Sequence, residues 1–244
     1  MRSFPFDLRD AVRGLRRDRA YALTVIFTLA LTIGATTAVF SIVDGVLLKP
    51  LAYAESQQLV AIRETWRQLA DRIPVLEVNE QHFEYWRKRT KTFESMAQYY
   101  VRPANLTGNG DATQVLVGRT SGSLFDVLRV RAAIGRTLTP DDEPSDRPKV
   151  AVLTDAMWRQ CFSADPAIVG RSIVVDETPL TVVGVLPASF TLPTQRLSVA
   201  ELFVPIHMDT SRVGWEGDHN DEAVGRLRSG TTIEQARAEL DVLQ

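Results

Sequence analysis

The chain has 244 residues, 45% apolar and 24% charged, with a net charge of -2 and a single cysteine. Its mean hydropathy of -0.07 excludes a polytopic membrane protein of this length, and one cysteine excludes an internal disulfide. Residues 1–19 carry six Arg and three Asp, a net of +3, and the remaining 22 basic and 27 acidic residues net -5, which opposes nucleic-acid binding by the larger part.

Residues 1–19 read MRSFPFDLRDAVRGLRRDR. Pro5 and Asp7 suit a first helical turn. Leu8, Ala11, Val12 and Leu15 recur at helical spacing, with Arg9, Arg13, Arg16 and Arg17 on other faces. The pattern predicts a short amphipathic helix against an anionic lipid surface. Residues 21–43, YALTVIFTLALTIGATTAVFSIV, hold no Asp, Glu, Lys, Arg or His. About 20 apolar residues cross a hydrocarbon core roughly 30 Å thick, and one helix satisfies its own backbone there. Thr24, Thr28, Thr32, Thr36 and Thr37 do not oppose this, because a threonine hydroxyl can bond back to the preceding turn. The run also exceeds the apolar region of about 7–15 residues in a signal peptide. Pro50 is the first firm stop, and a helix over residues 21–48 would be about 42 Å long. Its last turns are therefore expected beyond the lipid. Six arginines before the span, against Lys49 close behind it, orient the N-terminus to the cytoplasm and the rest outside. The expected division is a cytoplasmic helix at 1–19, a membrane helix at 20–49 and an external domain at 50–244.

Residues 50–59 form an exit loop, and QLVAIRE a first strand. After Pro74, VNEQHFEYWRKRTKTFESMA predicts a helix with Phe83, Trp86 and Phe93 near one face and a solvated basic face. QYYVRPANLTG and ATQVLVGRTS predict paired strands joined at Gly108-Asn109-Gly110. SGSLFDVLRV predicts a short helix capped by Ser121 or Ser123, and AAIGRTLTPDDEPSDRPK a polar loop. VAVL predicts a buried strand, and Thr154 and Asp155 cap the next helix, whose contacts are Met157, Trp158, Cys161 and Phe162. RSIVVDETPLTVVGVLP predicts a hairpin turning at residues 176–179. ELFVPI is a strand, 207–221 an irregular segment, and EAVGRLRSG another strand. TTIEQARAELDVLQ is an amphipathic helix capped by Thr231 or Thr232, with Ile233, Ala236, Leu240 and Leu243 on its stripe. Strands and helices interleave irregularly, which makes the fold class α+β.

Chemistry is sparse. No phosphate-cradling G-x-x-x-x-G-K-[ST], G-x-S-x-G, H-E-x-x-H or C-x-x-C occurs. His207 with Asp209, and His219 with Asp218 and Asp221, could be drawn as a metal site, but all sit in the segment read as a loop. Asp141, Asp142 and Glu143 read as a solvated acidic run without a calcium-loop glycine. Asp44 reads as interfacial. Cys161, beside Trp158 and Phe162, reads as a small buried hydrophobe. Catalytic residues, metal and cofactor are all expected to be absent.

The basic entry DLRDAVRGLRRDRAYALTVIFTLALTIGATTAVFSIVDGVLLKPL, Tyr53 and QLVAIRE carry a resemblance. So do VAVLTDAMWRQCFSADPAIVGRSIVVDETPLTVVGVLPASF, LFVPI and GRLRSGTTIEQARAELDVL. Together they resemble the MacB-like, FtsX-type permeases of ABC transporters, above all the duplicated orphan permeases. The resemblance implies an inner-membrane protein with a periplasmic core domain of β-α-β units and a β-rich part. It implies a separate ATP-binding subunit as partner, docked on Leu8, Arg9, Val12, Leu15 and Arg16. The function it implies is to couple ATP hydrolysis there to periplasmic events such as export. A non-transporting adaptor that binds or regulates a periplasmic protein is the alternative. The family's later membrane helices do not follow Gln244. The chain is therefore expected to be a fragment of a longer product, or a shortened paralogue needing a fuller permease partner or homo-oligomer.

Overall fold

The computed structural model describes residues 19–43, 53–65, 75–108, 112–193, 199–206 and 219–243. The chain divides into two compact units, Met1–Leu51 and Ala52–Gln244.

In the first unit, helix α1 spans Arg19–Val43. Residues 22–41 have a mean hydropathy of 2.0 and make the one helix among the described residues long and apolar enough to cross a membrane. Its large side chains, Phe27, Leu31, Ile33 and Phe40 among them, point outward and exposed. Hydrocarbon is the solvent such a surface suits.

The second unit is α+β. In chain order its elements are β1 (Leu59–Ile62), β2 (Val78–Asn79), α2 (Glu80–Arg89), β3 (Phe93–Thr107), β4 (Thr113–Thr120) and α3 (Leu124–Val127). Then come β5 (Ile134–Gly135), β6 (Val150–Leu153), α4 (Asp155–Phe162), β7 (Ser172–Val175) and β8 (Thr178–Val185). The last are β9 (Leu202–Pro205), β10 (His219–Leu227) and α5 (Ile233–Leu243). The strands form one sheet in the order β1-β10-β3-β4-β9-β6-β8-β5, with β2 on β10 and β7 joining β3 to β8.

Strand β3 is the spine. Its first half pairs with β10 (Ala97 opposite Val224), its second with β4 (Leu106 opposite Thr113), and its end with β7 (Leu106 opposite Val175). The link through β7 closes β3, β4, β9, β6, β8 and β7 into a ring of pairings. Among the described residues Pro103 lies where β3 has β4 alone as partner strand, a place that tolerates a missing N–H. Strand β6 leads through α4 and the β7–β8 hairpin to β8, which returns parallel to β6, a crossover connection of the β-α-β kind.

Three apolar clusters follow from the alternation of side chains along these strands. Ala151 and Leu153 face one cluster with Leu106, Val117, Ile173, Val182 and Met157 of α4. Val152, between them, faces a second with Phe125, Leu128, Phe203 and Tyr99. Phe83 and Trp86 of α2 and Ala236 of α5 cover a third, over Ile62, Phe93 and Met96.

Local signals for helix starts hold. Thr154 Oγ1 accepts the Met157 N–H at 3.3 Å. Thr232 and Gln235 bond each other's backbone N–H reciprocally, at 3.3 and 2.9 Å, a capping box. Five expectations need correction. Helix α2 ends at Arg89, and Phe93 belongs to β3, drawn there by pairing with Leu227. Ser123, not Ser121, holds the N-cap position of α3, but without a side-chain capping bond; the two hydroxyls instead tie the helix to β3, through the Gln98 N–H and the Met96 carbonyl. The β7–β8 turn is only Asp176-Glu177, both at positive φ, with Asp176 Oδ1 accepting the Asn105 N–H at 2.8 Å. Ile233 is exposed, so the buried stripe of α5 is Ala236 with Leu240 and Leu243 beside it. Residues 219–221 are strand, not irregular.

Candidate functional site

Four features of the described residues bear on function. The first is the apolar helix itself. Thr24 Oγ1 donates to the Ala20 carbonyl at 2.9 Å, Thr28 to Thr24 at 2.8 Å, Thr32 to Thr28 at 2.8 Å and Thr36 to Thr32 at 2.7 Å. Four hydroxyls at a spacing of four thus satisfy themselves within α1, as the sequence led one to expect. Leu8, Arg9, Val12, Leu15 and Arg16, with Asp44, lie outside the described residues.

The second is a buried arginine where the second unit begins. Residues Tyr53 to Gln58 bend through Glu55, at φ 51, into a short 3-10 turn. Arg226 of β10 is 0% exposed. Its Nε donates to the Val127 carbonyl at 2.8 Å, Nη1 to Glu55 at 3.2 Å and Nη2 to Ala54 at 3.1 Å. One planar guanidinium thereby joins β10, α3 and the entry segment. Burial pulls its pKa down, as does neighbouring Arg129, while Glu94 and Glu55 oppose them. Arg129 in turn bridges Glu55 and Glu94. Sequence reasoning missed Arg226, because GRLRSG gives no sign that both faces of β10 are covered.

The third is a cleft of about 240 Å³ at the ring of strands. Arg102, Arg119, Lys149 and Asp176 rim it, over Val117, Leu180 and Val204. Basic rim and apolar floor suit contact with an acidic or amphiphilic partner surface.

The fourth lies at the start of β10. His219 heads that strand, and His82 sits in the first turn of α2. Both imidazoles reach the buried Glu64, at 3.0 and 3.1 Å. Reading His219 into a loop was therefore wrong. His207, Asp209 and Asp218 lie outside the described residues.

The acidic run is also corrected. Asp142 is 7% exposed and takes a two-pronged contact from Arg136, at 2.7 and 2.8 Å. Burial pushes its carboxyl up, and bonds from Arg136 and Thr139 outweigh burial, so its pKa lies below the usual value. Glu143 accepts the Gly122 N–H at 2.7 Å. These carboxylates staple a loop. Cys161 packs against the first apolar cluster, and burial, with Glu201 nearby, pushes its thiol up. That is the opposite of an activated nucleophile.

A family model described as the MacB-like periplasmic core domain matches residues 22–243. The chain belongs to that family. Two solved structures share its fold. The periplasmic region of MacB from Actinobacillus actinomycetemcomitans aligns with TM-score 0.55 and 15% identity, over 76% of this chain and 81% of that one. The extracellular domain of the ABC-type transporter YknZ from Gram-positive bacteria aligns with TM-score 0.51 and 15% identity, over 75% of this chain and 93% of that one. No curated protein matches significantly. The chain is thus a MacB-like core domain of the ABC-transporter permease kind, preceded by an apolar helix fit for an inner membrane.

Proposed function

We propose that this MacB-like chain is a non-catalytic element of an ABC permease. It couples ATP hydrolysis by a separate cytoplasmic subunit to events outside the membrane, such as export. The observation that carries the reading is the family match, which begins inside the apolar helix and runs through the external unit. Six arginines before that helix support a cytoplasmic N-terminus. The division proposed is residues 1–19 inside, 20–49 in the membrane and 50–244 outside. Arg226 gives the entry segment a firm hold on β10 and α3, which is what transmission through the membrane helix requires of the domain. A fuller permease partner or a second copy completes the assembly.

Docking of the ATP-binding subunit is assigned to Leu8, Val12 and Leu15 with Arg9 and Arg16. Lipid binding depends on apolar area and charge, not on side-chain order. A protein interface depends on a few packed anchors. Permuting residues 6–17, with composition and amphipathic character kept, should preserve membrane insertion and abolish pull-down of the cognate ATP-binding subunit. Leu8→Ala with Leu15→Ala should weaken pull-down at least tenfold. If the permuted helix retains the subunit as well as the native one, residues 1–19 are an orientation signal only.

A further inference from the structure

We propose that Glu64, His82 and His219 form a binding site for a divalent transition metal ion of the zinc class, which clasps three separate parts of the external unit. The carboxylate of Glu64 is 3% exposed. Its Oε1 accepts the Asn79 N–H at 2.8 Å, and its Oε2 lies 3.1 Å from His82 Nδ1 and 3.0 Å from His219 Nε2. One ligand atom from each residue lies within 4.8 Å of the other two.

Zinc binds imidazole nitrogen and carboxylate oxygen at about 2.0–2.2 Å, so ligand atoms of a tetrahedral site stand about 3.3–3.5 Å apart. Both carboxylate–imidazole edges are already within a few tenths of an ångström of that spacing. The remaining edge closes by a pivot of the His82 ring, whose side chain is 47% exposed. Two imidazoles and one carboxylate are a zinc donor set that leaves the fourth position to water. Oxygen-only ligation, as calcium and magnesium prefer, does not fit two nitrogens.

The ligands are held by structure rather than by loops. Glu64 exchanges two backbone bonds with Leu76, at 3.1 and 2.8 Å. Asn79 organises all three ligands. Its N–H fixes Glu64, its side chain caps the helix that carries His82, and its strand position faces His219. Such orienting partners are characteristic of metal sites. The ion cross-links segments far apart in sequence and stabilises the folded state by binding it selectively.

The test uses the full untagged chain in detergent, stripped with chelator and titrated with Zn²⁺ by calorimetry, and with Co²⁺ by visible absorption. One ion per chain should bind, with the visible bands of tetrahedral cobalt, and Zn²⁺ should raise the unfolding temperature. Glu64→Gln, His82→Gln and His219→Gln should each weaken binding about a hundredfold or more, and His207→Gln should leave it unchanged. His82 is half-exposed, so its variant keeps the fold, which the metal-free unfolding transition verifies. Absence of stoichiometric Zn²⁺ binding, or wild-type affinity in the His82 variant, would show a metal-free hydrogen-bonded cluster and overturn the proposal. Should the buried Glu64 variant not fold, cobalt bound to wild type without tetrahedral bands overturns it equally.

Discussion

Phe203→Ala is expected to destabilise the external unit by about 3–5 kcal/mol, the usual range for deleting a buried aromatic side chain. Phe203 is 0% exposed. Its ring meets Phe125 and Phe190 edge-on or near it, with centroids 5.6 Å away in both cases. It also lies on Gly118 of β4, where a Cβ would come within 2.6 Å of the ring. Gly118 and Phe203 are register partners across the parallel β4–β9 pair. The loss should lower the unfolding temperature by roughly 6–20 °C in a unit of this size. The same contact predicts non-additivity. Gly118→Ala alone should destabilise by about 1–3 kcal/mol through overpacking, yet cost much less when Phe203 is already Ala. Thermal unfolding of the two single variants and the double variant measures both effects. Additive costs would mean that the ring does not rest on Gly118.

Arg226→Met should cost about 2–4 kcal/mol. Removing the guanidinium strips partners from the carbonyls of Val127, Glu55 and Ala54, and a hydrogen bond to a charged group contributes about 1.5–3 kcal/mol. The opposing effect is relief of a buried charge, which for some ion pairs makes an apolar replacement neutral. Here the acceptors are fixed carbonyls that stay behind, so the loss prevails. Arg226→Lys should recover only part of it, because an ammonium cannot span three acceptors in one plane. Chemical denaturation gives the size, and amide exchange gives the place: protection should fall first at residues 54–58. An Arg226→Met protein as stable as wild type would mean that the clamp adds nothing.

What was legible in the sequence was local. The membrane helix declares itself by 23 uncharged residues in a row, and Thr154 and Thr232 mark helix starts within three residues of their partners. The start of β3 was not legible, because KRTKTFESMA holds enough helix formers to extend α2. Pairing of residues 93–99 with β10 overrides that propensity. Glu143 of the acidic run looked solvated because its partners, Gly122 and Arg87, lie 21 and 56 residues away. Glu64 and His219 are 155 residues apart and meet because β1, which leads into Glu64, and β2 both pair with β10. Arg226 was hidden for the same reason: what it holds lies 99 and 171 residues earlier.

Coupling an inner ATP-binding subunit to an outer domain requires that residues 1–19 and the external unit lie on opposite sides of the membrane. The arginine asymmetry supports the first lying inside, which is part of the proposal. Fusion of alkaline phosphatase or a fluorescent protein after Gln244 measures this directly, since the first is active only outside and the second fluoresces only inside. The expected result is an active phosphatase fusion and a dark fluorescent one. A fluorescent, phosphatase-negative chain would contradict the assignment.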